Sequence, residues 1–153
     1  MLRPLSTQSA ARLARQFKSQ GKKIVFTNGC FDLLHPGHVK ILEFAKSQGD
    51  VLFLGLNSDA SIRRLKGPGR PVLPLLARAK LVLALRAVDF VVPFAQSTPL
   101  KLIAAIGPDV LVKGADWPAK QIVGRKYARR IVRVPLASGF STTSLIRKIR
   151  AGR

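Results

Sequence analysis

The sequence predicts an α/β fold, a doubly wound parallel sheet of five strands with helices on both faces. Two observations predict it. Short β-rich runs alternate with helical patterns from one end of the chain to the other. The 153 residues, 47% of them apolar, fit one sizeable core and leave little room for a second. Strands alternating with helices in so short a chain call for a parallel sheet covered on both sides, joined by right-handed crossovers.

Each element has a local reason. From Thr7 to Phe17, Ala11, Leu13, Ala14 and Phe17 recur at roughly helical spacing, which predicts a leading helix. Lys23 to Thr27 is a short β-rich run without helical period; Asn28-Gly29 then turns the chain, and a helical pattern runs from Gly37 to Gln48. Val51 to Leu56 reads as the second strand and Asp59 to Leu65 as a short helix. A basic loop of glycines and prolines leads to Leu73, then a helix over Pro74 to Arg86 and a strand over Asp89 to Phe94. Thr98 to Ile106 predicts a helix with Pro99 in its first turn, and Val110 to Lys113 a strand. The remainder predicts a helix over Ala119 to Tyr127, a strand over Ile131 to Val134 and a helix over Thr142 to Arg150.

The charge is extreme: 27 Lys and Arg against 7 Asp and Glu give a formal net charge of +20. A surface of that potential attracts anions, but charge alone does not choose among nucleic acid, an acidic membrane and small polyphosphates. The single cysteine, Cys30, excludes an internal disulfide framework and a multi-cysteine zinc site and is compatible with a reducing compartment, so a cytoplasmic location is expected. Met1 to Gln20 has no apolar core of the secretion-signal kind, and apolar runs such as Val51 to Leu56 stop well short of the ~20 residues a membrane span needs.

The informative motif falls just after the first strand, where ligands of such sheets sit. There the chain reads Thr27-Asn28-Gly29-Cys30-Phe31-Asp32-Leu33-Leu34-His35-Pro36-Gly37-His38, placing both histidines of the protein within four residues at a helix start. A lone buried histidine is ordinarily a satisfied core residue. Two histidines flanking Pro-Gly lie instead where backbone N–H groups gather anions. The pattern suits a triphosphate attacked at its α-phosphorus by another phosphate: two imidazoles stabilise the accumulating charge, and Gly37 lets the backbone approach. The attacking phosphate is already ionised, so neither a nucleophilic side chain nor a strong base is required, and positioning carries much of the rate. A divalent ion, usually Mg²⁺, would bridge the phosphates; no side chain is assigned as its ligand.

This His-x-Gly-His signature resembles that of the cytidylyltransferase-like superfamily of nucleotidyltransferases, with a Rossmann-like fold. Asn57-Ser58-Asp59-Ala60-Ser61, Arg64 to Val72, Leu111-Val112-Lys113-Gly114 and Gly139-Phe140-Ser141-Thr142-Thr143 are similar to segments of the bacterial D-glycero-β-D-manno-heptose 1-phosphate adenylyltransferases, in order, from about Gly21 to Ile149. The resemblance implies a single nucleotidyltransferase domain over residues 1–153, with 1–20 a leading helix. It further implies that ATP and heptose 1-phosphate give ADP-heptose and pyrophosphate, toward lipopolysaccharide core or related glycans. The resemblance suggests a homodimer and a sugar kinase in the same pathway, to which this domain is fused in many bacteria; the short apolar runs and the missing aromatic-rich strands speak against a membrane and a nucleic-acid partner.

The resemblance also assigns roles. His35 and His38 contact the triphosphate, Lys66 reaches a phosphate, and Thr27, Asn28, Gly29, Cys30 and Phe31 line the cleft. Lys113 and Gly114 join them on the nucleotide side, while Asp32, Asn57, Asp59 and Arg70 are candidates for binding the sugar phosphate. Asp32 could instead orient a histidine or hold its loop, and a charged Gly and Pro loop such as that of Lys66 and Arg70 is often merely solvated. Asp116 could bind a ribose or sugar hydroxyl and Trp117 stack on the base; equally, the one caps a helix and the other the core. Ser141, Thr142 and Thr143 open the last helix, where capping and phosphate binding can coincide.

Two departures bear on substrate choice. Pro135 to Gly139 lacks the arginine common in glycerol-3-phosphate cytidylyltransferases, which favours the heptose branch, whereas Asp116-Trp117 resembles the glycerol-phosphate branch and Ala115 stands where the heptose branch commonly has glycine. Gln96 replaces an expected acid, and carboxylates beyond Asp32 and Asp59 are scarce. CTP with glycerol 3-phosphate is therefore the alternative pair. The rival of another class is an RNA-binding module built on the basic segments Arg125 to Arg133 and Arg147 to Arg153, although the chain lacks the aromatic-rich strands of single-strand RNA readers.

Overall fold

The computed structural model describes residues 3–115, 118, 121–135 and 139–152. Five parallel strands form one sheet, β1 (Ile24–Gly29), β2 (Val51–Asn57), β3 (Phe90–Phe94), β4 (Val110–Gly114) and β5 (Arg130–Val134), in the order β3-β2-β1-β4-β5. The helices are α1 (Thr7–Ser19), α2 (Pro36–Ser47), α3 (Asp59–Lys66), α4 (Leu75–Leu83), α5 (Leu100–Ile106) and α6 (Thr142–Arg150). The doubly wound parallel sheet expected from the alternation is the observed architecture.

Both faces of the sheet are covered, which is why its central strands read as continuous apolar runs. Alternate residues of one strand feed two cores. Val25, Leu52, Leu54, Val110 and Val112 pack with Leu42 and Ala45 of α2 and Ala79 and Val82 of α4. Ile24, Phe26, Phe53 and Leu111 pack on the other side with Leu102, Ile103 and Ile106 of α5 and with Ala10 and Ala14 of α1. The leading helix is thus part of the second core; Ser6 caps it by accepting from the Ser9 N–H.

The order of the strands reverses between β1 and β4, which pair directly through Val25 with Val110 and Phe26 with Leu111. A crevice opens at their carboxyl ends. Register sets what stands there: Asn28 and Gly29 of β1 lie beside Gly55 and Leu56 of β2, and Lys113 and Gly114 of β4 beside Arg133 and Val134 of β5.

The expected helix over Ala119 to Tyr127 is corrected. Ala119 and Lys120 lie outside the described residues, and between Gln121 and Tyr127 the chain makes no α-helix, only 3-10 geometry at Gln121 and over Arg125–Tyr127. Gly124 is the cause: its φ is +85°, and a Cβ there would lie 2.7 Å from the Ile103 side chain, so the segment passes tightly over α5 in a left-handed conformation that no helix continues through. The helix expected over Pro74 to Arg86 also ends early, at Leu83, before a turn that brings Val88 into the core.

Candidate active site

Two helix N-termini meet above the carboxyl end of β1. The first belongs to α2. Pro36 fixes the backbone of its first turn, and the preceding His35 is extended (φ −147°, ψ 166°) and makes no side-chain capping bond. The first-turn N–H groups of α2 therefore have no side-chain acceptor, the condition under which a helix end gathers an anion. The second belongs to α6, where Ser141 and Ser144 cap one another reciprocally, leaving the Thr142 and Thr143 hydroxyls out of the cap.

Between these ends lies a cavity of about 390 Å³ lined by His35, Gly37, His38, Lys66, Arg70 and Ser141 to Thr143, together with Cys30, Phe31, Ile41 and Phe140. Among the described residues no carboxylate lines it. The rings of His35 and His38 stack with centroids 3.8 Å apart and planes 23° from parallel. Among the described residues the Nδ1 atom of each is buried without a hydrogen-bond partner. Unpaired buried polar atoms cost stability, so core packing alone does not account for the pair.

Burial lowers the basicity of both imidazoles. His38 is brought down to about 4, by burial first and by its neighbour His35 second, with the Leu33 backbone and the Asp32 carboxylate acting the other way. Both rings are neutral at pH 7 in the unliganded protein, each with one N–H to give.

The turn that presents them is tight. Phe31 has a φ of +44°, a conformation rare for a bulky residue, and its buried ring packs 4.9 Å from that of His38. Gly29 makes this possible, since a Cβ on it would lie 2.8 Å from the Phe31 ring. Phe31 thus supports the histidine pair from behind while also reaching the cavity wall.

Asp32 does not face the cavity as a ligand. Its side chain is fully buried and accepts from Arg70 Nε at 2.7 Å and from the Val72 and Leu73 N–H groups at 2.9 Å. Burial pushes its carboxyl up, but these donors outweigh it and leave the pKa below its ordinary value. Of the roles open to Asp32, the structure shows loop holding, and the substrate-contact assignment is corrected: its oxygens are already engaged. Asp59 pairs through Oδ1 with Arg78 at 2.6 Å and is not among the residues that line either cavity. Thr27 is buried and its hydroxyl donates to the Val112 carbonyl, which joins β1 to β4.

A second cavity, also about 390 Å³, adjoins the first. It brings together Asn28, Gly29, Asn57, Lys113 and Gly114 from the strand ends, with Ser97, Thr98 and Pro99 from the loop after β3. Cys30 and Lys66 line both cavities and form the wall between them. Lys113 donates to the Asn28 side-chain oxygen, and burial lowers its pKa to about 8. A buried ammonium that no described carboxylate pairs fits an incoming anion.

Asp116 and Trp117 lie outside the described residues. Sequence reasoning missed Ile41, Phe140 and the Ser97 to Pro99 loop, whose residue types carry no signal. It also missed Arg78, which shares the buried face of α4 with Ala79, Val82 and Leu83; a charge on an apolar stripe was the available sign. Among the described residues no three metal-ligating side chains cluster. No helix among the described residues is long and apolar enough to cross a membrane.

Residues 26–148 match the cytidylyltransferase-like family. The chain is 55% identical over 138 residues to the bifunctional protein HldE of Sulfurimonas denitrificans, taking in 90% of this chain and 29% of that protein. It is 54% identical over 152 residues to the bifunctional protein HldE of Mesorhizobium japonicum, 97% of this chain and 31% of that one. The chain thus spans less than a third of these curated relatives. Among solved structures, a lipopolysaccharide core biosynthesis protein from Thermoplasma volcanium superposes with a TM-score of 0.65 at 25% identity, over 77% of this chain and all of that one.

Proposed function

This chain belongs to the cytidylyltransferase-like family, and from that premise we propose that it transfers AMP from ATP to D-glycero-β-D-manno-heptose 1-phosphate, forming ADP-heptose and pyrophosphate. The observation that carries the transfer chemistry is the cavity, free of carboxylates among the described residues, where two helix N-termini, Lys66 and Arg70 surround two imidazoles. Such a site stabilises a polyphosphate and repels nothing anionic. The heptose acceptor rests on the motif resemblance. The half-identical HldE relatives and the solved relative named for lipopolysaccharide core biosynthesis support it.

In this reading the triphosphate occupies the first cavity, with Thr142 and Thr143 near the departing phosphates. The second cavity takes the acceptor: Asn28, Asn57, Ser97 and Thr98 suit a polyhydroxylated ring, and Lys113 its phosphate. That moves Asn28, Gly29, Lys113 and Gly114 from the nucleotide side to the acceptor side. An acceptor phosphate oxygen attacks the α-phosphorus, the bond to the β-bridging oxygen breaks, and pyrophosphate leaves with the electron pair. No proton need move. His35 and His38 donate to the charge that gathers on the phosphates, and Lys66, shared by both cavities, stands where the two substrates meet. Magnesium enters with ATP as part of the substrate, held by phosphate oxygens.

The same reading places the chain in the cytoplasm, where ATP is available, as a homodimer. A sugar kinase supplies the phosphorylated heptose, in keeping with relatives that are bifunctional and more than three times as long in sequence as the stretch they share with it. The test is pyrophosphate release with magnesium, ATP and heptose 1-phosphate, run beside CTP with glycerol 3-phosphate. Turnover confined to the second pair would move the chain to the cytidylyl branch. Turnover with neither pair would refute the transferase reading.

A further inference from the structure

We propose that Arg78 is a positioning residue for the transfer described above, fixing the wall between the two cavities and both ends of the basic segment that reaches over them. The proposal rests on the transferase reading for what it positions, and on the geometry alone for how. Among the described residues Arg78 is the largest side chain with no exposed surface. A charged group is that deeply buried only when it is paired and hydrogen-bonded. Here each guanidinium nitrogen serves a different segment: Nε donates to the Leu73 carbonyl at 3.0 Å, Nη1 to the Cys30 carbonyl at 2.6 Å, and Nη2 to the Asp59 carboxylate at 2.6 Å.

Those three partners are not scattered. Cys30 is the residue of the β1 turn that lines both cavities. Asp59 opens α3, whose last residue is Lys66, and Leu73 closes the loop that carries Arg70. The segment from Asp59 to Leu73, with both its cavity-facing cations, is thus pinned at each end to the same guanidinium, which also holds the Cys30 backbone. Gly67 and Gly69 between the pins have φ of +85° and +83° with open space around their Cα atoms, so the loop has little packing of its own to fix it. Asp32 adds a second anchor at the Leu73 end through the Val72 and Leu73 N–H groups and Arg70. Lysine cannot replace Arg78, because a single ammonium does not reach three acceptors spread around a planar fork.

Misplacement of reacting groups by about 1 Å costs on the order of 10²-fold in rate, and that is the loss expected on breaking the clamp. The experiment compares Arg78→Lys, Arg78→Met, Asp59→Asn and the double variant Asp59→Asn/Arg78→Met. It measures melting temperature, kcat and KM for each substrate, affinity for a non-hydrolysable ATP analogue, and the rate at which a thiol reagent labels Cys30, the chain's one cysteine. Arg78→Met strands the Asp59 charge and lowers the melting temperature. The double variant removes that charge and melts close to Asp59→Asn, yet its kcat/KM stays about 10²-fold below that of Asp59→Asn, its analogue affinity falls and Cys30 labels several-fold faster. Arg78→Lys recovers part of the turnover and not all. Turnover in the double variant returning with the melting temperature to the Asp59→Asn value, or Cys30 labelling unchanged in it, overturns the proposal. Should the wild-type protein make no ADP-heptose, the transferase reading fails, while analogue affinity and Cys30 labelling still decide the role of Arg78.

Discussion

His35 and His38 stack ring on ring, 3.8 Å between centroids, each with a buried Nδ1 that no group among the described residues meets. The stack is held from behind by Phe31 and from below by the first turn of α2. Nothing in the fold needs two unpaired imidazoles in contact, whereas a polyphosphate does. Replacing either with alanine is therefore expected to lower kcat by about 10²–10³-fold, the usual loss for one preorganised donor. Steady-state pyrophosphate release checks it, with circular dichroism to show that the fold survives.

The same burial predicts how stability follows pH. The folded protein protonates His38 only near 4, whereas the unfolded chain does so near 6.5. Between those values the unfolded state binds more protons, so stability falls as pH drops from about 6.5 to 4 and this contribution levels off below. Asp32 acts in a lower window: its folded pKa lies below 3.8, so its contribution is present above that value and is lost as pH falls through the folded pKa. Melting temperature followed from pH 8 to 3 is expected to fall in two stages, and His38→Gln to flatten the first.

Capping and phosphate binding separate at the start of α6. Ser141 accepts from the Ser144 N–H at 3.0 Å, so Ser141→Ala removes a cap and is expected to cost about 1 kcal/mol of stability. Thr143 lines the first cavity and has no part in the cap. Thr143→Ala is expected to raise KM for ATP several-fold with the melting temperature unchanged, as thermal melts and initial rates on the two variants will show.

Lys113 divides the substrates. Buried beside Asn28 in the second cavity, it is expected to bind the acceptor, so Lys113→Met raises KM for the sugar phosphate by about tenfold or more and leaves KM for ATP nearly unchanged. Its ammonium is lost near pH 8. The acceptor KM of the wild-type enzyme should accordingly climb as pH rises past 8, and that of Lys113→Met should not.

Much of this was legible in the sequence because it is local. A β-rich run, a turn and a helix start at Pro36 place His35 and His38 without any tertiary knowledge, and the apolar runs of β1 and β2 announce a sheet buried on both faces. What was not legible depends on distance. Gly124 breaks the expected helix only because Ile103, 21 residues earlier, leaves no room for a Cβ. Asp32 looked like a ligand because nothing in the sequence shows that Arg70 and the Val72 and Leu73 N–H groups already hold it, just as nothing there shows that Asp59 pairs with Arg78. The division into two cavities is likewise a product of strand order, which places β4 against β1 although 80 residues separate Gly29 from Val110.

The central claim is that the histidine pair receives the triphosphate, and a crystal structure with magnesium and a non-hydrolysable ATP analogue tests it most directly. The expected result is phosphate oxygens within hydrogen-bond distance of the His35 and His38 ring nitrogens, with Thr142 and Thr143 closing the other side. An analogue bound elsewhere, with both rings still stacked and their Nδ1 atoms still unpaired, would contradict the account.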